Sequence, residues 1–435
     1  MPDFKIIHDT VHGSIKLQSL FLDLLETPEI QRLHGIHQLG LAYLVFPGAN
    51  HTRLEHSIGT CFVADRLADA LGLNEEEKKL VMAAGMLHDI GHSPYSHTLE
   101  MAVHGDIHAD HMEITKDIIL GKRRILSEEY NAQDRLFIPE LLEKYGLDPK
   151  DVARLVTGQV TDDTSLKIED YPTHKDQIFF NEKKYLAHMI HGPIDADQID
   201  YLLRDSHYTG VAHGTIDTDR LIQTVELFNN DLVIHKRGVP AVEGMLVARA
   251  LMYTSVYFHK TVRIAELMLA RAVELLNEHL GEVHEMIDSE LMAKLKEKGG
   301  FQKEIAFMLK YRRLFKRIFT MFKGKTSEEE MGIVGNLRDP KIRRRTERDI
   351  CKRAGIPDGF VIIDVPENEL QITEPRIKAT NVKILDKNKL SPLSKFSPLA
   401  RALELREVYD WEMMISSAPK YSDKVKKMAK KVLFD

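Results

Sequence analysis

The stretch from Lys78 to Ile90, KKLVMAAGMLHDI, constrains this chain most. A nearly all-apolar run closes on the adjacent ionisable pair His88-Asp89 and stops at Gly91 and Pro94. A helix that is apolar all round is a buried one, and Gly and Pro just beyond it mark its end. The sequence therefore predicts a buried helix that carries a His and an Asp into the interior. Adjacent side chains diverge by about 100° on an ideal helix, so a pair acting together suits the last turn, where the backbone loosens. Burying the Asp without a charged partner would cost several kcal/mol, and a bound cation is the economical partner.

The surroundings are helical too. Residues 56–71 place Ile58, Phe62, Val63, Leu67, Ala70 and Leu71 on one stripe, and residues 243–280 read as long helices. The first 20 residues instead read as a hairpin, KIIHDT and SIKL flanking VHG. Past residue 300 the character changes: YRRLFKRIF is basic and amphipathic, KGKTSEEE is linker-like, and FVIIDVP and RIKATNVKIL read as strands. The expectation is a mostly α chain with a helical core over residues 1–300 and a smaller α+β C-terminal lobe over 301–435.

Composition narrows the partners. With 60 Lys+Arg against 66 Asp+Glu the net charge is −6, so the chain as a whole is no basic nucleic-acid binder. Two basic runs, 341–353 and 420–431, read best as solvated helix faces and leave nucleic-acid binding or nuclease activity as a third reading. Cys61 and Cys351 are too few for a disulfide framework or a Cys-based zinc site, which suits a reducing cytoplasm. No signal-like apolar core or membrane span is read, so a cytoplasmic protein without a membrane partner is expected.

The 21 His, with so few Cys, direct the search to His/carboxylate metal sites. The candidates are His56 in HTRLEH, the pair His88-Asp89, and an acid of HGPIDADQIDYLLRD, where Asp195, Asp197 and Asp200 follow too closely to be ordinary core. Six His fall within residues 88–111 beside short turns, and Glu100 sits at helical spacing to orient His97.

In their order and spacing, LEHSIG, MLHDIGHSPYSH and IDADQIDYLLRD resemble the HD-domain metal-dependent phosphohydrolases. DTVHGSIKL, QRLHGIHQLGLAYLVFPGANHTRLEHS and RALMYTSVYFHKT extend the resemblance over roughly residues 4–265, and narrow it to the deoxynucleoside triphosphate triphosphohydrolase branch. The resemblance implies a helical HD core and metal ligands His56, His88, Asp89 and Asp197, the second acid of D-x-D. The ion would be Mn, Fe, Mg or Zn. It implies catalytic or phosphate-contacting roles for His92, His97 and His111. Arg53, Arg249 and Lys260 match a triphosphate clamp, Gln38, Leu39, Tyr201 and Asp205 a deoxyribose pocket, and Tyr257 a ring that helps enclose the substrate.

The implied reaction is hydrolysis of a dNTP to deoxynucleoside and triphosphate, the alternative being a nucleotidase or cyclic-nucleotide phosphodiesterase with the same metal. The family also implies a homo-oligomer, tetramer or dimer, with a nucleotide effector and a C-terminal lobe that serves assembly or regulation. Three positions depart from the pattern. Gln198 stands where Lys is frequent, and in the effector pocket Lys5 is kept while Glu26 and His34 replace an acid and an Arg.

Overall fold

The computed structural model describes residues 4–99, 111–125, 136–158, 183–276, 283, 285–322, 324–366, 382–404 and 411–434. Strands β1 (Phe4–Asp9) and β2 (Gly13–Gln18) form the expected antiparallel hairpin. Ile15 and Leu17 face inward, anchoring it on the helical core.

That core is built on α1 (Arg53–Leu71) and α2 (Glu75–Leu87), packed against each other. A capping box, with Glu55 accepting the Thr52 backbone N–H at 2.6 Å, starts α1, and left-handed Gly72 ends it. Asn74 caps α2 through the Glu76 and Glu77 amides. The helix ends a little earlier than expected: α2 stops at Leu87, so His88 and Asp89 fall in the looser turn after it rather than in its last turn. Helices α3 (His111–Ile119) and α4 (Ala196–Thr209) complete the walls around this turn. Gly91 permits the approach of α3, because a Cβ there would overlap the His111 carbonyl and Thr115.

The long helices expected over 243–280 are two, joined by an irregular turn. Helix α5 (Val239–Met252) passes through a π-helical turn at Tyr253–Tyr257 before α6 (Lys260–Glu274) begins. Such turns re-aim side chains, and this one lies in RALMYTSVYFHKT, the motif with the matched Arg, Tyr and Lys.

The second core contains a three-stranded antiparallel sheet in the order β5 (Lys316–Phe322), β9 (Trp411–Ser417), β6 (Val361–Asp364). Helices α7 (Pro340–Ala354) and α8 (Ser422–Phe434), which carry the two basic runs, pack on each other beside it. The solvated-face reading of the first run fails at Glu347. It is fully buried, accepts Arg271 Nη2 at 2.6 Å and the Ile363 amide at 2.7 Å, and so ties α7 to α6 and β6. The linker-like KGKTSEEE contains the Ser327–Glu330 capping box of a helix at Glu328–Leu337.

The packing crosses residue 300 in both directions. Residues 264–276 and 291–309 contribute to the second core. Strand β7 (Lys383–Asp386) pairs in parallel with β4 (Asp231–His235), forming the sheet β3 (Val225–Phe228), β4, β7, β8 (Lys389–Pro392) on the first core. Side-chain packing thus divides the chain differently from a single cut at 300. No described helix is long and apolar enough to cross a membrane.

Candidate metal centre and its surroundings

Helix α1, the end of α2 and the first turn of α4 bring three side chains to one point. His56 Nε2 lies 3.2 Å from His88 Nε2 and 3.1 Å from Asp197 Oδ1, and His88 Nε2 lies 3.8 Å from the same oxygen. Each imidazole has its far nitrogen bound: His56 Nδ1 to Asp200 Oδ2 at 2.7 Å, His88 Nδ1 to the Gly85 carbonyl at 2.8 Å. Bonds of this kind fix the tautomer and leave both Nε2 lone pairs facing inward. Two imidazole nitrogens and one carboxylate oxygen, all within 4.8 Å of one another, fit a borderline or hard divalent cation.

Asp89 adjoins this trio but is differently engaged. Its oxygens lie 3.6 Å from His56 Nε2 and 3.3 Å from His88 Nε2, while Oδ2 also accepts Arg53 Nη1 at 2.5 Å. The buried charge of Asp89 therefore has a protein partner, and the case for a cation rests on the converging donors rather than on Asp89 alone. The three acids of IDADQID separate by role: Asp195 caps α4 through the Gln198 amide at 2.8 Å, Asp197 faces the imidazoles, and Asp200 supports His56. Gly59 makes room for this support, since a Cβ there would overlap Asp200 and Arg204.

Electrostatics follow from these contacts. Burial alone would lower the His56 pKa, but its hydrogen bonds to Asp197 and Asp200 and the nearby Asp charges push it up to about 10. Burial alone would raise Asp89; Arg53, His88 and His92 hold it well below the usual carboxylate range. His92, unlike His56, is shifted well down, kept neutral by burial and by the neighbouring Arg53 and His111.

Beside the trio stands a second imidazole group. The His92 ring stacks on His111 at 4.0 Å and meets His97 edge-on at 4.8 Å, with His92 Nε2 3.3 Å from Asp89 Oδ1. His92 is buried and His97 exposed, so the group runs from the candidate metal centre to the surface. Glu100 lies outside the described residues. The loop holding His97 is strained: Tyr95 and Ser96 both have positive φ, 56° and 55°. It is held by Asp288, which accepts the Tyr95 amide at 2.6 Å, and by Arg53 Nε on Ser96 Oγ at 2.9 Å.

The matched substrate residues divide. Asp205 accepts Tyr257 Oη–H at 2.6 Å and pairs with His51 Nε2 at 2.8 Å; the Tyr201 ring stands 6.1 Å from that of Tyr257. Gln38 is buried, its Oε1 without a hydrogen-bond partner among the described residues, and Leu39 beside it is half-buried. Arg249 donates to Gln198 Oε1 at 3.1 Å, so the residue standing in for Lys positions an Arg. Lys260 Nζ lies 5.6 Å from the Trp411 ring and 5.9 Å from that of Phe322, both on the three-stranded sheet. Of the effector positions, Lys5 pairs with Glu26 at 2.7 Å in a half-exposed contact, and His34 is exposed. His12, His51, Ser96 and Asp288 carry structural weight that sequence reading missed. His12, His51 and Ser96 lay inside the quoted motifs DTVHGSIKL, HTRLEH and MLHDIGHSPYSH without being singled out, and Asp288 lay in none of them.

Comparison with known proteins agrees with this geometry. The family model of the HD domain matches residues 53–157, and that of the HD associated region matches residues 216–434. An uncharacterised protein of Methanocaldococcus jannaschii, MJ1154, is 31% identical over 98% of this chain and 81% of its own length. The human deoxynucleoside triphosphate triphosphohydrolase SAMHD1 is 30% identical over 62% of this chain and 44% of its own. A solved structure, a hypothetical protein from Aquifex aeolicus, superposes with TM-score 0.70 at 26% identity, covering 98% of this chain and 99% of that one. With two family models spanning most of its described cores and the His/Asp cluster in place, the chain belongs to the HD-domain phosphohydrolase superfamily, in the branch that includes the SAMHD1 triphosphohydrolases.

Proposed function

We propose that this protein hydrolyses deoxynucleoside triphosphates to deoxynucleoside and triphosphate, using a divalent cation held by His56, His88, Asp89 and Asp197. The observation that carries the reading is the convergence of His56, His88 and Asp197 beside the imidazoles of His92, His97 and His111. The likeness to SAMHD1 supports the choice of substrate. When bound, the cation would supply Lewis acidity toward a phosphoryl oxygen and activate water.

The protein's own groups do the rest. Neutral His92 hydrogen-bonds a phosphate oxygen without adding charge. His97 and His111, at the open end of the imidazole group, hold the proton that the departing 5′-oxygen needs. Arg249 contributes charge for the phosphates, and Gln198 keeps its guanidinium in place. The pairing of Asp205 with Tyr257 forms a polar floor for the 3′-hydroxyl, with Gln38 Oε1 as a second acceptor, while Tyr201 closes the space a 2′-hydroxyl would need. Product chromatography on each dNTP tests the reading: deoxynucleoside with inorganic triphosphate is expected, and stepwise release of phosphate would overturn it.

A nucleotidase or cyclic-nucleotide phosphodiesterase is the second reading. One observation favours it: Arg53 is committed to Asp89 and Ser96, and Lys260 lies against aromatic rings, which leaves the triphosphate clamp short of charge. The proposal also includes a homo-oligomer, tetramer before dimer, with a nucleotide effector near the hairpin and the Lys5–Glu26 pair.

A further inference from the structure

The N-terminal hairpin reaches the metal centre through one histidine. In the β1–β2 turn, Asp9 Oδ1 accepts the amides of Val11 at 2.9 Å and His12 at 2.8 Å, which fixes the turn. His12 is thereby turned inward, its side chain only 6% exposed and its ring 5.1 Å from that of Phe62 on α1. Its Nε2 lies 2.6 Å from Asp200 Oδ1. The other oxygen of Asp200 holds His56 Nδ1 at 2.7 Å.

Asp200 has a competing partner. Arg204 donates Nε to Oδ2 and Nη2 to Oδ1, both at 2.9 Å, and its Nη1 returns to Asp9 Oδ2 at 2.8 Å. The result is a closed, buried ring of charge and hydrogen bonds: Asp9, Arg204, Asp200, His12 and back to the turn. A bidentate guanidinium draws a carboxylate into its own plane. The His12 donor on Oδ1 counters that draw and keeps Oδ2 directed at His56.

We propose that His12 is a positioning residue for the metal centre: by donating to Asp200 Oδ1 it fixes the carboxylate that sets the tautomer and direction of His56. The inference rests on the reading of His56 as a metal ligand. It makes the hairpin part of the metal centre's support, although His12 and His56 are 44 residues apart in the chain.

The test uses the full-length protein stripped with a chelator and titrated with Mn2+, free ion being followed by its paramagnetic resonance signal. His12→Gln places an amide N–H near the position of Nε2, whereas the shorter His12→Asn cannot reach it. The pair alters the site comparably in all but that donor. Tyr208→Phe serves as control, because Tyr208 Oη ties Thr10 of the hairpin to Glu55 without touching Asp200.

Loss of an outer partner of a metal-binding histidine weakens affinity by roughly 10–100-fold. His12→Asn is expected to weaken Mn2+ binding by about tenfold, His12→Gln to restore it to within about threefold of wild type, and Tyr208→Phe to leave it unchanged. Wild-type affinity in His12→Asn, no rescue by His12→Gln, or an equal loss in Tyr208→Phe would each overturn the proposal. A wild-type protein that takes up no Mn2+ would instead remove the metal reading itself, and this inference with it.

Discussion

Arg53 Nη1 lies 2.5 Å from Asp89 Oδ2, and both side chains are almost sealed from solvent. One arginine thus neutralises the buried acid of the His88-Asp89 pair and, through Nε on Ser96, also holds the strained loop that presents His97.

Removing that arginine leaves a buried carboxylate uncompensated. Arg53→Ala should lose roughly 3–5 kcal/mol of unfolding free energy, as broken buried pairs do. Arg53→Lys, which keeps the charge but not the fork to Ser96, should lose distinctly less. Urea titrations of the metal-free proteins check this, and equal losses would contradict the charge argument.

The pH dependence of the metal-free protein follows from His56. Its folded pKa, about 10, lies above the ordinary 6.5. A group raised in this way stabilises the fold fully below pH 6.5, and that stability is lost as pH rises through about 10. The expected loss across this window is on the order of 5 kcal/mol, and apparent Mn2+ affinity should rise over the same range as the competing proton leaves. Denaturation and Mn2+ titrations at pH 6.5, 8 and 9.5 would show it. A flat profile in both would contradict the placement of His56.

At Gly59 the fold has no room for a side chain. Gly59→Ala would drive a methyl group into Asp200 and Arg204, so a loss of about 3 kcal/mol is expected. Metal affinity should fall as well, because the displaced carboxylate supports His56. Thermal unfolding with and without Mn2+ measures both effects.

The proposed sugar pocket makes its own prediction. Tyr201→Ala should narrow the preference for dATP over ATP from about 100-fold to about tenfold or less, since apolar shape alone rejects an added hydroxyl by about that much. An unchanged ratio of kcat/KM would remove Tyr201 from sugar discrimination.

The sequence is most legible where a local pattern carries the information. The α2 run and its Gly-Pro stop locate His88 and Asp89 at the helix end to within a turn, and alternating residues give the hairpin. Asp288 illustrates what stays hidden: it supports Tyr95 from 193 residues away, and nothing in its neighbours announces that contact. Glu347 is similar, an acid inside a basic run whose burial depends on Arg271 of another helix. The strand pair formed by β4 and β7 joins segments about 150 residues apart, so no local cue could show that the later one returns to the first core. Arg53 had the right chemistry, but its partners were visible only once α1 and the α2 turn were packed together.

Metal content and product analysis on one set of proteins test the central claim most directly. Wild type, His88→Ala and Asp197→Ala would be purified, stripped, reloaded with Mn2+ and assayed on the four dNTPs. The account predicts about one ion per wild-type chain with release of deoxynucleoside and triphosphate, and loss of both ion and turnover in the two variants while their folds persist. Normal dNTP turnover by the stripped protein, or by either variant without bound metal, would contradict it.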